Sequence, residues 1–272
     1  MIAANHIRTS TGSVRVRPVA LPVEHGGWGL LFEPIVLGLL LVPSLGGLCL
    51  AVAAVACFLT RHPFKLAVGD RRRSRRLSRT VLAERFVLLY VGIAMLGLAA
   101  AIKTAQAGFL LPLLLAAPLA VVQLVYDSMG RSRAVIAELA GSISIGAVAA
   151  AIVLAGGWPR PAAFGLWAIM AARVAPTILY LRARLRLLHR KSASPRLVIV
   201  AHLLAIIVVV GLARAEVVPL LAIAAIAILF LRAVIGFTRP GKLATAKKLG
   251  LLELGFGAII VFAVILGHAI GW

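Results

Sequence analysis

The chain has 272 residues, of which 62% are hydrophobic and only 14% are charged. Its formal net charge is +21, from 29 Lys and Arg against 8 Asp and Glu. No soluble fold can bury that much apolar surface, and disordered chains are far less hydrophobic. These values exclude a soluble enzyme, a disordered protein and an ordinary nucleic-acid binder, and they indicate a chain embedded in a lipid bilayer.

Nine apolar stretches, separated by charged residues or by Pro and Gly, are long enough to be membrane helices. We predict these spans at about 27–43, 44–61, 80–101, 107–126, 134–155, 162–181, 196–213, 217–236 and 249–270. The residues before them are polar and interrupted by Pro18 and Pro22, which predicts a cytosolic arm and not a secretory signal. The predicted fold is all-α, a polytopic membrane protein: an arm at 1–25 and a single transmembrane domain of about nine helices at 26–272.

The basic residues lie almost entirely on one side of this nine-span arrangement. About 25 of the 29 Lys and Arg fall in the arm or in the loops on its side, including the run from Arg71 to Arg76. Because cytoplasmic loops collect positive charge, we predict a multi-pass protein of the cytoplasmic membrane with its amino terminus inside and its carboxyl terminus outside. The arginine run then fixes topology and attracts anionic lipid headgroups, and it does not bind nucleic acid.

The cysteines and the histidines within the spans form no metal-binding motif. Cys49 and Cys57 lie eight residues apart in an apolar stretch without a CxxC partner. His202 and His268 have no partner at metal-ligand spacing. We therefore predict no metal site.

Seven of the eight acidic residues map to cytosolic loops or to the cytosolic halves of spans. Acids are costly in lipid and usually face a bundle interior or a water-filled cavity, so this bias predicts a polar cavity open to the cytosol. Glu84 and Glu253 have a plainer explanation. Each falls in the first turn of a predicted span, where the helix dipole favours negative charge.

Glu33 and Arg173 are charged residues inside predicted spans. Each lies roughly 12 to 13 Å from the cytosolic end of its helix, by the rise of an α-helix. We hypothesise that they pair on the cavity wall, beside a kink at Pro34. The pair is consistent with a purely structural role and equally with a ligand site.

Other candidates come from helix starts and from arginines near helix ends. The segment from Glu24 to Gly29 joins two titratable side chains to glycines that allow close backbone approach, and the N–H groups of a helix start suit an anion. Arginines at helix ends can clamp a phosphate, although topology alone also explains them. The candidate ligand-binding residues are Glu24, His25, Glu33, His62, Lys65, Asp70, Asp127, Arg131, Arg133, Glu138, Arg173, Tyr180, Arg182 and Arg184.

A set of short motifs runs along the chain. The string from Pro22 to Trp28 is followed by Glu33-Pro34, Arg61-His62-Pro63, the stretch from Arg131 to Gly141, the stretch from Tyr180 to Leu185, Arg239-Pro240 and Lys248-Leu249-Gly250. Together these motifs resemble those of the YwiC-like family of bacterial membrane proteins. The resemblance covers nearly the whole chain, and it implies a multi-pass membrane fold without a particular activity.

A weaker resemblance involves the stretch from Tyr126 to Trp158 and the segment from Gly69 to Leu77. Both are similar to parts of the UbiA superfamily of intramembrane prenyltransferases, which implies a nine-helix bundle and magnesium held by two aspartate-rich clusters. Here the first loop retains only Asp70, and the loop from Arg182 to Arg196 has no acid. Magnesium can bind through one or two carboxylates and substrate phosphates, but two cationic loops argue against it. We predict no cofactor.

The sequence as a whole predicts a membrane protein that binds an anionic amphipathic ligand, such as a lipid or isoprenoid phosphate. The head would meet the arginine loops and the tail would lie between helices. One alternative is a divergent UbiA-like prenyl or lipid transferase, in which arginines neutralise a diphosphate. Two others are a transporter coupled to protons through Glu33, Glu138 and Arg173, and a non-catalytic assembly factor of another membrane complex. The sequence leaves open whether the ligand is transformed.

Overall fold

The computed structural model describes residues 16–22, 25–74, 77–106, 108–238 and 245–271. Within these ranges the chain forms helices joined by short connections, with no β-strand. The helices are α1 (Arg17–Ala20), α2 (His25–Leu41), α3 (Leu45–Arg72), α4 (Ser78–Thr104), α5 (Leu110–Ser128), α6 (Val135–Ala155), α7 (Arg160–Leu188), α8 (Arg196–Arg214), α9 (Leu221–Thr238) and α10 (Ala246–Ala269). Eight of them, α3 to α10, are long and apolar enough to cross a membrane, and α2 is a shorter apolar helix. The predicted all-α, polytopic fold is therefore confirmed.

The nine predicted spans correspond to α2 through α10, and most boundaries agree within four residues. Two helices continue well past their predicted ends. α3 extends from 61 to Arg72, and α7 extends from 181 to Leu188. Both extensions are rich in Lys and Arg, which are good helix formers. Positive charge marks where a helix leaves the membrane and does not mark where the helix ends.

The helix α6 lies at the centre of the bundle and packs against α2, α3, α5 and α7. Its residues 149–155 are all buried, and most of them are alanines. Small side chains let membrane helices approach one another closely, so van der Waals contact replaces the hydrophobic effect as the source of association. α7 is the second central helix, because it also contacts α8 and α9.

The described part of the amino-terminal arm is docked on the bundle. In residues 16–22, Val19 packs against Ala67 of α3 and Ala83 of α4. The Tyr90 hydroxyl donates to the carbonyl oxygen of Ala20 at 3.2 Å. The arm predicted at 1–25 therefore includes a segment that belongs to the folded bundle, and it brings α1 against the extension of α3.

Candidate functional site

A cavity of about 290 Å³ lies at one end of the bundle, between α2, α6, α7 and α10. We call it the polar cavity. Its charged and hydroxyl-bearing lining residues are Glu33, Arg61, Ser132, Arg133, Glu138, Ser142, Arg173, Thr177, Arg182 and Glu253. Three of the acidic residues that the structure describes, Glu33, Glu138 and Glu253, line this cavity.

Glu33 and Arg173 form the predicted ion pair at the floor of this cavity. The Nη2 atom of Arg173 lies 2.7 Å from Oε1 of Glu33 and also donates to the main-chain oxygen of Glu253 at 3.1 Å. The two side chains are only 3% and 10% exposed. Gly257 makes room for the pair, because a Cβ atom there would overlap the Glu33 carboxylate and lie 3.0 Å from Nη2. The pair joins α2 to α7 and α10.

A second buried pair lies behind the first. The Arg232 guanidinium contacts the carboxylate of Glu253 through Nη1. It also lies over the rings of Tyr180 and Phe256, with the guanidinium carbon 4.3 and 5.1 Å from the ring centroids. Stacking on aromatic faces and pairing with a carboxylate both suit a desolvated guanidinium. The pair ties α9 to α10 immediately beneath the polar cavity.

The helix-dipole explanation of Glu253 and Glu84 is wrong. α10 begins at Ala246 and α4 begins at Ser78, and neither acid falls in the first turn of its helix. Glu253 is instead buried against Arg232, and Glu84 pairs with Arg71 at 2.7 Å. The predicted spans begin at 80 and 249, two and three residues later than the helices, because the polar residues before them, Ser78-Arg79 and Lys247-Lys248, indicate a loop. This difference places each acid closer to an apparent helix start.

The rim of the polar cavity carries a more exposed ion pair. Arg182 donates through Nη1 to Oε2 of Glu138 at 2.7 Å and to the carbonyl oxygen of Arg133 at 2.8 Å. The two charged side chains are 35% and 32% exposed. The Arg133 side chain also lines the cavity. No carboxylate among the described residues pairs with Arg133, so it adds an uncompensated positive charge to the rim.

Three buried polar atoms of residues that line the cavity floor have no hydrogen-bond partner among the described residues. They are Nε of Arg173, Oγ1 of Thr177 and Oε2 of Glu253. Arg173 and Thr177 lie one turn apart on α7, which places them on the same helix face. Buried polar groups are almost always bonded to protein, water or ligand. The floor therefore presents an N–H donor, a hydroxyl and one carboxylate oxygen to whatever fills the cavity, and Arg232 neutralises the charge of that carboxylate.

A second cavity of about 490 Å³ adjoins the first between α3, α4, α5 and α6. We call it the apolar cavity, because its lining is apolar except for Thr60, Arg61, Gln123 and Ser144. Arg61 and Gln123 line both cavities. These two side chains are therefore the junction between a charged space and a hydrocarbon-like space.

Arg61 is held firmly at this junction. Its Nε atom lies 2.5 Å from Oδ2 of Asp127, and its Nη2 atom lies 3.1 Å from Oδ1. With its amide oxygen turned towards the guanidinium, Gln123 accepts from Nη1 and Nη2 at 3.1 Å. The Asp127 carboxylate is completely buried. Gly141 leaves the space in which the Gln123 amide lies.

The structure brings together only some of the candidate residues. Those that line the polar cavity are Glu33, Arg133, Glu138, Arg173 and Arg182, and Asp127 lies one contact behind it through Arg61. Glu24 lies outside the described residues, as does the side chain of His25.

The remaining candidates lie outside the cavity lining. Nε2 of His62 lies 3.0 Å from the Pro18 carbonyl, and Lys65 lies on the same helix without lining either cavity. Arg131 lies over the Tyr126 ring. Buried Arg184 donates to the Gly236 carbonyl at 2.6 Å, and Tyr180 stacks on Arg232.

Sequence reasoning missed the importance of Arg61, Gln123, Thr177, Arg232 and Glu253. By sequence alone, Arg61 and Arg232 are among the residues that set topology, although α3 continues for 11 residues past Arg61 and α9 for 6 residues past Arg232. Gln123 was detectable as an amide inside an otherwise apolar span, four residues before Asp127. Thr177 follows Arg173 at helical spacing, a signal that could have placed both on one face.

The residues present do not fit the magnesium that the UbiA resemblance implies. Asp70, the residue on which that resemblance depends in the first loop, accepts from Arg79 at 2.6 and 3.0 Å and from the Thr80 hydroxyl at 2.8 Å. Both of its carboxylate oxygens are thus occupied by donors. Across the described ranges, no group of three or more His, Cys, Asp or Glu side chains is placed to hold a metal ion. We derive no metal-dependent step.

Comparison with known proteins supports the YwiC-like resemblance over part of the chain. No curated protein matches the chain, and no solved structure matches it; a link to the UbiA superfamily is therefore without support from these comparisons. The family model described as YwiC-like protein matches residues 21–153, just under half of the chain. The matched region includes α2 to α5 and most of α6, with Glu33, Arg61, Gln123 and Asp127. Over residues 21–153 this membrane protein is therefore similar to the YwiC-like proteins.

Proposed function

We propose that the polar cavity binds the anionic head of an amphipathic ligand, a lipid or isoprenoid phosphate. The observation that carries the proposal is the two unpartnered buried donors at the floor, Nε of Arg173 and Oγ1 of Thr177. The third unpartnered atom, Oε2 of Glu253, belongs to a carboxylate whose charge Arg232 neutralises. Arg133 adds a cation at the rim for which the described residues supply no carboxylate. Guanidinium groups match phosphate oxygens in geometry as well as charge, and buried donors without protein partners are satisfied by water or ligand.

The rim pair explains how an anion would enter. Arg182 and Glu138 are each about one-third exposed, and ion pairs of that kind contribute little to stability. Arg182 is therefore free to exchange its carboxylate for a phosphate at small cost. The floor pair of Glu33 and Arg173 is too deeply buried to separate in this way, and it serves as a fixed wall.

We further propose that the protein lies in the cytoplasmic membrane with its amino terminus inside. The basic loops that follow α3, α5, α7 and α9 support this orientation, since positive charge stays on the cytoplasmic side. Arg133 lies in the loop after α5, so the polar cavity then opens towards the cytosol. The motifs beyond residue 153, such as the stretch from Tyr180 to Leu185, extend the YwiC-like resemblance to the whole chain.

Binding accounts for the packing better than transport does. A transporter needs a path that continues past its midplane site. Beyond Ser142, the last α6 residue that lines the polar cavity, Ile152 and Val153 of the same helix are completely buried within the bundle core. The charged lining is thus confined to one end of α6, which favours binding over a path across the bundle.

Saturable binding of dodecyl phosphate to the full chain, reconstituted in phosphatidylcholine nanodiscs, tests the proposal. We expect Arg133→Ala and Arg182→Ala each to weaken binding roughly tenfold, the value of one charge-assisted hydrogen bond. Thr177→Val should weaken it less, because it removes a neutral donor. Arg214→Ala is the matched control, since Arg214 is exposed at the end of α8. Non-saturable binding, or an equal loss in the control, would refute the proposal.

A further inference from the structure

We infer that the apolar cavity holds the hydrocarbon chain of the same ligand, running from the junction at Arg61 and Gln123 along α3 and α5. This inference rests on the proposed function, because the polar cavity supplies the head site. It adds which of the helices enclose the tail and which side chains lie where head and tail meet.

The lining of the apolar cavity includes two matching helical stripes, on α3 and α5, and further residues of α2, α4 and α6 complete it. One runs from Leu50 to Arg61 on α3, and the other runs from Leu113 to Gln123 on α5. In both stripes the lining residues recur mainly at spacings of three and four, as one face of a helix requires. The α3 stripe is roughly 16 Å long by the helical rise. Each stripe is apolar over most of its length. The α3 stripe reaches the polar cavity at Arg61, and the α5 stripe reaches it at Gln123.

Small residues and helix pairing keep this space open. α3 packs mainly along α4, and α5 packs mainly along α6, whereas α3 and α5 make little direct contact. The facing positions are largely alanines, among them Ala54 and Ala120. Larger side chains at these positions would close the gap between the two helix pairs, so the cavity follows from the sequence of both stripes.

The polar side chains in this lining are already bonded within the described part of the chain. The Thr60 hydroxyl donates to the Ala56 carbonyl at 2.9 Å, and the Ser144 hydroxyl donates to the Gly141 carbonyl at 2.8 Å. Arg61 donates to Asp127 and to the Gln123 amide oxygen. None of the buried polar atoms that lack a partner in the described part of the chain belongs to this lining, and a hydrocarbon chain loses nothing by contact with such walls.

The shared residues connect the two sites into one amphipathic shape. A head in the polar cavity would have its tail directed past Arg61, whose side chain is 23% exposed. A chain of a bulk membrane lipid, entering from the bilayer, has the same chemistry. The two sources can be distinguished, because only the tail of the bound ligand requires its head to bind in the polar cavity.

Photo-crosslinking distinguishes these sources. The probe is dodecyl phosphate with a terminal diazirine, bound to the full chain in phosphatidylcholine nanodiscs and mapped by peptide mass spectrometry. We expect crosslinks on the lining residues of α3 and α5 that unlabelled dodecyl phosphate competes away. They should fall at least tenfold in the double variant Arg133→Ala with Arg182→Ala. Ala120→Phe should move the crosslinks away from these lining residues, because the larger side chain narrows the apolar cavity. Ala99→Phe, at an exposed site on α4, should leave the crosslinks unchanged.

Each result decides one question. Head-dependent crosslinks on other helices, such as α2 and α10, would overturn this inference and leave the proposed function intact. Crosslinks on α3 and α5 that persist in the double variant would identify a bulk lipid chain and overturn it as well. Failure of the probe to bind at all would instead refute the proposed function. If Ala120→Phe does not fold, Ala54→Leu narrows the same cavity with a smaller side chain and gives the same readout.

Discussion

The two adjoining cavities are bounded by the same bundle but differ in how their polar atoms are bonded. In the apolar cavity the described hydroxyl, amide and guanidinium groups all have protein partners. In the polar cavity three buried atoms, on Arg173, Thr177 and Glu253, have none among the described residues. Inside a membrane, polar groups must be satisfied by the protein itself or by a ligand. Unpartnered buried atoms, more than charge alone, therefore indicate where a polar ligand binds.

The ion pairs of the polar cavity show a similar contrast between floor and rim. Glu33 and Arg173 are almost fully buried, whereas Glu138 and Arg182 are each about one-third exposed. A buried pair is costly to break because the remaining charge has no water, and an exposed pair is not. We therefore infer that the floor ion pair stabilises the fold and that the rim ion pair can exchange its carboxylate for the ligand.

Breaking the floor pair should have the largest effect. Arg173→Ala leaves the Glu33 carboxylate buried without a cation, so we expect the free energy of unfolding to fall by about 3–5 kcal/mol. The uncharged pair Glu33→Gln with Arg173→Met should lose less. Denaturant unfolding in detergent micelles measures both. The control is Arg182→Ala at the rim, expected to lose at most about 1 kcal/mol. Equal losses at floor and rim would contradict the contrast.

The glycine beneath the floor pair offers a second test. Gly257→Ala places a Cβ atom against the Glu33 carboxylate and Arg173, so the pair must shift. We expect a loss of about 1–3 kcal/mol, as for overpacking a tight interior. Gly255→Ala on the same helix meets nothing within 4 Å and should be neutral or slightly stabilising. Thermal unfolding of the two variants side by side gives the answer, and matching melting temperatures would mean that the floor is loosely packed.

The junction between the cavities should respond more weakly. Gln123→Leu removes the amide oxygen that faces Arg61 and leaves the guanidinium bonded to Asp127. We expect the unfolding free energy to fall by about 1 kcal/mol, the net value of an ordinary hydrogen bond. Exposed Gln106→Leu provides the matched control, with a change of at most about 0.5 kcal/mol. An unchanged stability in Gln123→Leu would show that Asp127 alone positions Arg61.

The smallest effect is expected in the apolar cavity. Ala117→Leu extends into open space, so the unfolding free energy should stay within about 0.5 kcal/mol of the parent. The same change at completely buried Ala150 of α6 should destabilise by about 1–3 kcal/mol, because the core has no room. A comparable loss at both positions would indicate that the apolar cavity is closed in solution.

Sequence reasoning reached the fold and about half of the site. The nine spans and the buried pair of Glu33 and Arg173 follow from run lengths and from helical depth, which are properties of single helices. The roles of Glu253 and Arg232 could not be predicted in this way. The predicted span begins at 249, three residues after the start of α10, and this displacement makes the buried Glu253 resemble an acid in the first turn of a helix. Tyr180 and Arg184 were placed with the phosphate-clamping residues, but rotation of α7 turns them towards α9.

Hydrophobic length and charge asymmetry are properties of the linear chain, so the sequence predicts a multi-pass helical bundle with one strongly basic side. Which charges neutralise one another and which polar atoms remain unpartnered depends on the packing of the helices. Those outcomes depend on neighbouring helices that are distant in sequence: Arg61 and Asp127 are 66 residues apart, and Glu33 and Arg173 are 140 residues apart. The alanine stripes that leave space between α3 and α5 became a cavity only once α4 and α6 had paired with them.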